Sequence, residues 1–181
     1  GYNSRLDAMQ AAVLTVKLPR LAGWLERRRA VAARYPDAPA SRAGVQLPEA
    51  GPAGHSWNQF VVRVSSCPTG QPICQAKCSP SATSSTHGLP ESCCRDWLKQ
   101  RLQEEGINTI VYYPIPIHRQ PAYSHLKLEP GSMPATEKTC SQVLSLPIFP
   151  ELTELEQQQV VSVLGQVITP TCDVNQPRMV A

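Results

Sequence analysis

Five cysteines and a histidine crowd one stretch of this chain, and those side chains suit metal chemistry. The order is Cys67-x6-Cys74-x3-Cys78-x8-His87-x5-Cys93-Cys94. Thiolate and imidazole ligands fit tetrahedral zinc. Cys74 and Cys78 would form one half of a site, and His87 with Cys93 or Cys94 a looser second half. The spacing matches no established zinc module, which favours a reduced, exposed insertion without metal. Seven cysteines, an odd number, argue against a fully paired disulfide framework. A reducing cytoplasm is the expected compartment.

Of four histidines, His118 stands out. It follows Tyr112-Tyr113-Pro114-Ile115-Pro116-Ile117, so it leaves a β-branched run into a proline-stiffened loop, where binding residues concentrate. A satisfied structural histidine is the competing reading. His55, beside Trp57 and Asn58 and just before a strand, has the same two readings. His87 and His125 look incidental. Neither G-x-G-x-x-G nor G-x-x-x-x-G-K-[ST] occurs, and G-x-S-x-G and H-E-x-x-H are also missing.

The elements that must position these residues follow from periodicity. Leu6, Met9, Gln10, Val13, Leu14, Lys17, Leu18 and Leu21 recur at helical spacing. Asn3 or Ser4 is the expected cap, Asp7 falls in the first turn, and Pro19 breaks or kinks the helix. Residues 20–34 continue it, with Leu21, Trp24 and Leu25 on one face and Glu26-Arg27-Arg28-Arg29 on a solvated one. Residues 36–54 read as loop, and Gln59-Phe60-Val61-Val62-Arg63-Val64 as a strand. Residues 65–94 carry Pro, Ser and Thr but few large apolar side chains, and are expected to be disordered. From Arg95, Trp97, Leu98, Arg101 and Leu102 give a helix that Gly106 ends as a left-handed cap with Ile107 as its apolar contact. Thr109-Ile110-Val111-Tyr112-Tyr113 reads as a strand and 134–144 as a helix. Leu146-Pro147-Ile148-Phe149-Pro150 is a short apolar run. Thr153 opens the last helix with Glu156 as its capping-box partner. Val160, Val161, Val163, Leu164 and Val167 form that helix's apolar face. The order predicts an α+β domain, a small sheet covered by helices on one side, without internal repeats.

The 181 residues are 41% hydrophobic and 17% charged, with 18 prolines and a net charge of +3. That length holds one domain with a real core. The charge is too weak for a nucleic-acid partner or an anionic membrane. No apolar run approaches the ~20 residues of a membrane span. The start at Gly1 is neither an initiator methionine nor a signal peptide, so a piece of a longer protein is expected.

Three stretches, in order, resemble the DegT/DnrJ/StrS sugar aminotransferases. Gly1-Tyr2-Asn3-Ser4-Arg5-Leu6-Asp7-Ala8-Met9-Gln10-Ala11-Ala12 is similar to their G-x-N-x-R-x-x-x-x-Q-A-A segment. Gly106-Ile107-Asn108-Thr109, with Tyr113-Pro114-Ile115-Pro116-Ile117-His118-Arg119-Gln120-Pro121-Ala122-Tyr123, resembles G-I-x-T-x-x-H-Y-P-x-P-x-H-x-Q-x-x-Y. Ser145-Leu146-Pro147-Ile148-Phe149-Pro150 resembles S-L-P-x-x-P.

The resemblance implies a pyridoxal-phosphate enzyme of the aspartate-aminotransferase fold. Such an enzyme moves an amino group, commonly from glutamate, to a nucleotide-linked keto-sugar. It implies the C-terminal small domain of that fold, a small antiparallel sheet covered by helices. On this reading residues 1–35 join the large and small domains, 36–64 and 95–169 are the small domain, 65–94 an insertion and 170–181 a tail. The Schiff-base lysine belongs to a domain upstream, because Lys17, Lys77, Lys99, Lys127 and Lys138 are not in its context. The asparagine matching Asn3 reaches the cofactor phosphate of the neighbouring subunit in a homodimer, and Arg5 is a candidate for the same anionic region. His118 and Tyr113 are implied to lie at the sugar substrate. The position matching Tyr112 is often histidine in the family, which weakens any polar role there. A non-catalytic remnant or interaction domain, and a sugar dehydratase relative, are the competing readings.

Overall fold

Burial alternates along Phe60–Val64, with Phe60, Val62 and Val64 buried and Val61 and Arg63 half-buried, as one covered sheet face requires. The computed structural model describes residues 4–35, 44–49, 51, 54–64 and 93–168. Its elements are α1 (Ala8–Lys17), α2 (Leu21–Arg34), β1 (Val45–Gln46), β2 (Phe60–Val64), α3 (Cys93–Glu104), α4 (Pro134–Gln142), β3 (Val143–Leu146) and α5 (Glu154–Ile168). Short 3-10 turns lie at Leu18–Arg20, Ile117–Arg119 and Pro121–Leu126. Residues 65–92, most of the expected insertion, and 169–181 lie outside the described residues.

The sheet is antiparallel in the order β1-β2-β3. Val45 pairs with Val64, Phe60 with Leu146 and Val62 with Leu144. Its buried residues share one core with Leu98 and Leu102 of α3, Val160, Leu164 and Ile168 of α5, and Val31 and Ala32 of α2. The α+β expectation therefore stands, with a small antiparallel sheet and helices packed against it.

Local signals decided most helix ends. At Pro19 the chain passes through the 3-10 turn Leu18–Arg20 before resuming as α2, because proline cannot supply the next helical donor. Thr153 and Glu156 form the expected capping box: the Thr153 N–H donates to Glu156 Oε2 at 2.9 Å and the Glu156 N–H to Thr153 Oγ1 at 3.3 Å. Gly106 has φ +79°, and the Ile107 N–H donates to the Leu102 carbonyl at 2.8 Å, closing α3 as a left-handed cap does.

Other boundaries differ from the sequence reading. Asp7, not Asn3 or Ser4, caps α1, because Gln10 three residues on completes a reciprocal box with it. The helix expected over 134–144 stops at Gln142. Val143 and Leu144 instead pair with β2, where the ladder outweighs local helical preference. Arg95 then donates to the carbonyls of Cys140 and Val143 at 3.2 and 3.3 Å, receiving the end of α4. The strand expected at 109–113 reduces to one bridge, Ile110 to Ser145, just ahead of Pro114, which has no N–H for a ladder. β1 arises within a stretch read as loop.

Arg28 also departs from the solvated face expected for it. Arg27 and Arg29 are exposed, whereas Arg28 turns inward. Its Nη1 donates to the carbonyls of Trp57 and Asn58 at 3.1 Å each and of Ile148 at 3.4 Å. Tyr35 anchors α2 from the same side, stacking on Phe60 at 4.4 Å and donating its hydroxyl to Pro147 O at 2.6 Å. In contrast, no residue of α1 is buried: Met9, Val13, Leu14 and Val16 are all exposed, as is Leu6 just ahead of its cap.

Candidate functional site

The prolines at 114 and 116 stiffen an extended path that ends in the 3-10 turn Ile117–Arg119. That turn carries His118 inward, and its side chain is 5% exposed. The Nε2 lies 3.0 Å from Glu137 Oε1, in the first turn of α4. The Gly131 N–H donates to both Glu137 oxygens, at 3.1 and 2.9 Å. The hydrogen bond from His118, then that from Gly131, holds the Glu137 carboxyl below its ordinary range. A carboxylate only accepts, so Nε2 carries the donated proton.

Tyr113 is 68% exposed. Its ring meets Tyr112 edge-on at 5.8 Å. His118 is thus buried while Tyr113 is exposed. Tyr112, the weaker candidate in the sequence, instead lines a cleft of about 220 Å³ with Asn58, Gln59, Asn108, Ser145 and Ile148. A broader, open depression of about 430 Å³ adjoins it, sharing Asn58 and Gln59 and lined also by Glu49, Gly51, His55 and Trp57. His55 packs on Trp57 at 4.4 Å, and its Nδ1 accepts the Trp57 N–H at 3.0 Å. Gly51 is required here, since a Cβ would come within 2.8 Å of the His55 side chain.

Arg5 is exposed ahead of α1, and Asn3 lies outside the described residues. So do Cys74, Cys78, His87 and the Cys93 side chain. Among the described residues no group of three or more His, Cys, Asp or Glu is placed to hold a metal ion. Cys140 is a free thiol, and burial pushes it up. No described helix is long and apolar enough to cross a membrane.

Asn58, Gln59 and Asn108 were not signalled by any motif. Polar residues just before a strand and just after a left-handed cap were the available hint. Arg28 sat hidden in a basic run.

Residues 1–76 and 70–165 match the model of the DegT/DnrJ/EryC1/StrS aminotransferase family, and the chain belongs to that family. Members are sugar aminotransferases that depend on pyridoxal phosphate. The chain is 38% identical over 169 residues to a pleiotropic regulatory protein of Geobacillus stearothermophilus, covering 92% of this chain and 38% of that protein. It is 36% identical to the dTDP-3-amino-3,4,6-trideoxy-alpha-D-glucose transaminase of Streptomyces venezuelae (92% and 36%). It is 34% identical to a UDP-N-acetyl-3-dehydro-alpha-D-glucosamine 3-aminotransferase of Acidithiobacillus ferrooxidans (93% and 37%). Among solved structures, S. venezuelae DesV in complex with a ketimine intermediate superposes with TM-score 0.72 at 34% identity, covering 93% of this chain and 38% of that one. NtdA of Bacillus subtilis, with bound cofactor PMP, superposes with TM-score 0.67 at 29% identity (93% and 34%). The chain thus spans less than two fifths of the length of these relatives.

The described lysines Lys17, Lys99, Lys127 and Lys138 are all exposed, and none lines the two clefts beside Asn58. These residues do not by themselves form a holder for pyridoxal phosphate.

Proposed function

We propose that these residues are the C-terminal portion of a pyridoxal-phosphate aminotransferase. The complete enzyme would move an amino group from glutamate to a nucleotide-linked keto-sugar. The carrying observation is the asymmetry of the match: about 92% of this chain aligns with about 38% of its relatives. Residues 1–35 would join this domain to the lysine-bearing one. The uncovered apolar side chains of α1 support that role, because a contiguous exposed face of this kind marks a surface that packs on something else. Asn3 and Arg5 would face the cofactor phosphate of the neighbouring subunit in a homodimer. The 181 residues alone would not transaminate. The two matched stretches meet within 70–76, inside the 65–94 segment, which supports an insertion there. A second reading, a non-catalytic interaction domain, draws on the same bare α1 face.

Joining this chain to the N-terminal portion of the S. venezuelae transaminase tests the proposal. The expected result is a cofactor absorbance near the visible edge and glutamate-dependent amination of a dTDP-keto-sugar, neither given by the chain alone. A folded hybrid without cofactor absorbance favours the interaction domain.

A further inference from the structure

The loop that follows Ile110 is tied down at two points. At the near end the Ile110 N–H donates to the Ser145 carbonyl at 3.3 Å, and the Ser145 N–H to the Ile110 carbonyl at 2.7 Å. Val111 then leans on the core. At the far end Pro116 and His118 are buried, and His118 meets Glu137 at 3.0 Å. Between these anchors, residues 112–115 make no backbone hydrogen bond with any described residue. Tyr112 stands in that gap, half-buried in the wall of the 220 Å³ cleft. Its hydroxyl has no hydrogen-bond partner among the described residues, and the aromatic ring it meets is that of Tyr113. Polar contacts of its own therefore do not fix Tyr112; the backbone on either side must. Pro114 and Pro116 make that backbone stiff, because each locks its own φ and biases the residue before it toward extended conformation. A stiff span carries a displacement at one end to the other. Neither His118 nor Glu137 lines the cleft.

We propose that Glu137 is a positioning residue: acting through His118, it holds the span from Tyr112 to Pro116 in place and so sets one wall of the cleft from outside it. The pair suits that role. Its side chains are 5% and 13% exposed, so water competes little for the bond. The carboxylate is also held from its other side, since the Gly131 N–H donates to both oxygens. Glu137 cannot turn away from His118 without giving up those contacts as well. No other charge shares the work. Arg119, Tyr123, His125, Lys127 and Glu129 on the loop and Lys138 on α4 are all exposed. Among the described residues none of them bonds to His118 or Glu137 through its side chain. That Tyr112 serves the reaction rests on the aminotransferase reading; that Glu137 places Tyr112 does not.

The test is fluorine NMR of the 181-residue chain labelled with fluorotyrosine, each signal assigned by its Tyr→Phe variant. Glu137→Leu and His118→Leu should each move the Tyr112 signal most of the way to that of an unfolded chain. The signal of Tyr35, in the core, should stay where it is. His118→Gln should bring Tyr112 back to its wild-type shift, because the glutamine amide can place an N–H where the ring Nε2–H stood. A pair that only adds stability would lower Tm in the leucine variants and leave the folded Tyr112 signal unmoved, and that result overturns the proposal. Equal movement of the Tyr35 signal overturns it too, since the whole fold would then have loosened. Should the leucine variants fail to fold, acid titration of the wild-type chain decides. A proton on Glu137 weakens its hold on His118, so the Tyr112 signal and the Gly131 amide should move at one midpoint. A Tyr112 signal that stays put while the Gly131 amide moves overturns the proposal. None of these readouts involves turnover, so an inactive joined enzyme would count against the aminotransferase reading alone.

Discussion

The ring of His118 and the carboxylate of Glu137 meet at 3.0 Å across a separation of 19 residues. Glu137 also accepts the Gly131 N–H, at 2.9 Å in its shorter contact. One side chain therefore gathers the turn after the proline loop, the left-handed Gly131 (φ +86°) and the start of α4. Its position suits the positive end of a helix.

Acid should release this latch. The Glu137 carboxyl is held below its ordinary range in the fold, so its contribution is complete above the range of an unfolded glutamate. It is lost as pH falls through the lowered value. In an acid titration, the Gly131 amide and the His118 ring signals should move together below the ordinary carboxylate range. Glu137→Gln should lower Tm at neutral pH and remove that acid step. An unchanged step in the variant would assign it to another carboxylate.

Alkali should act through Tyr35. Burial raises its phenol above the ordinary value. The stabilisation is present below about pH 10, the unfolded value, and is lost as pH rises toward the raised one. Tyr35→Phe should flatten alkaline unfolding. It should also cost about 1–2 kcal/mol at neutral pH, because the Pro147 carbonyl loses its donor. Chemical denaturation at several pH values measures both effects.

Arg28 bridges three carbonyls from two loops. Arg28→Ala should cost about 2–3 kcal/mol, as bonds from a charged donor do. Arg28→Lys should restore part of this, since all three carbonyls are met by the single Nη1 nitrogen and an ammonium carries three donors on one nitrogen. Trp57 fluorescence should red-shift in both variants as its loop comes away. A native spectrum with lowered Tm would show that other contacts hold the loop.

Asp7→Ala should fray α1 and leave the core alone. The capping box is worth about 1 kcal/mol, and α1 has no buried residue to compensate its loss. Amide exchange should accelerate at Met9, Gln10 and Ala11 while Leu98 and Leu164 stay protected. Equal acceleration in both groups would mean that α1 unfolds only with the core.

What the sequence made legible was local. Pro19, the Thr153–Glu156 pair and Gly106 act within a few residues, and each ended or began an element where expected. Asp7 was misplaced by one step of the same logic, because its box with Gln10 outranked the earlier cap candidates. Val143 and Leu144 were misread because their partner strand lies about eighty residues earlier, and ladder energy is invisible in a window. Arg28 and Glu137 were missed for the same reason: their partners are distant, and nothing in a basic run or a helical first turn announces them. The family motifs within 106–123 lie in a stretch that the family model matches. The fold then turned His118 inward to Glu137 and set Tyr112, not Tyr113, in the cleft.

The most direct measurement joins this chain to the N-terminal portion of the S. venezuelae transaminase and assays amination of a dTDP-keto-sugar by glutamate. Cofactor absorbance and turnover are expected in the hybrid, and neither in the 181 residues alone. A folded hybrid that binds no cofactor and transfers no amino group, or turnover by the isolated chain, would contradict the proposal.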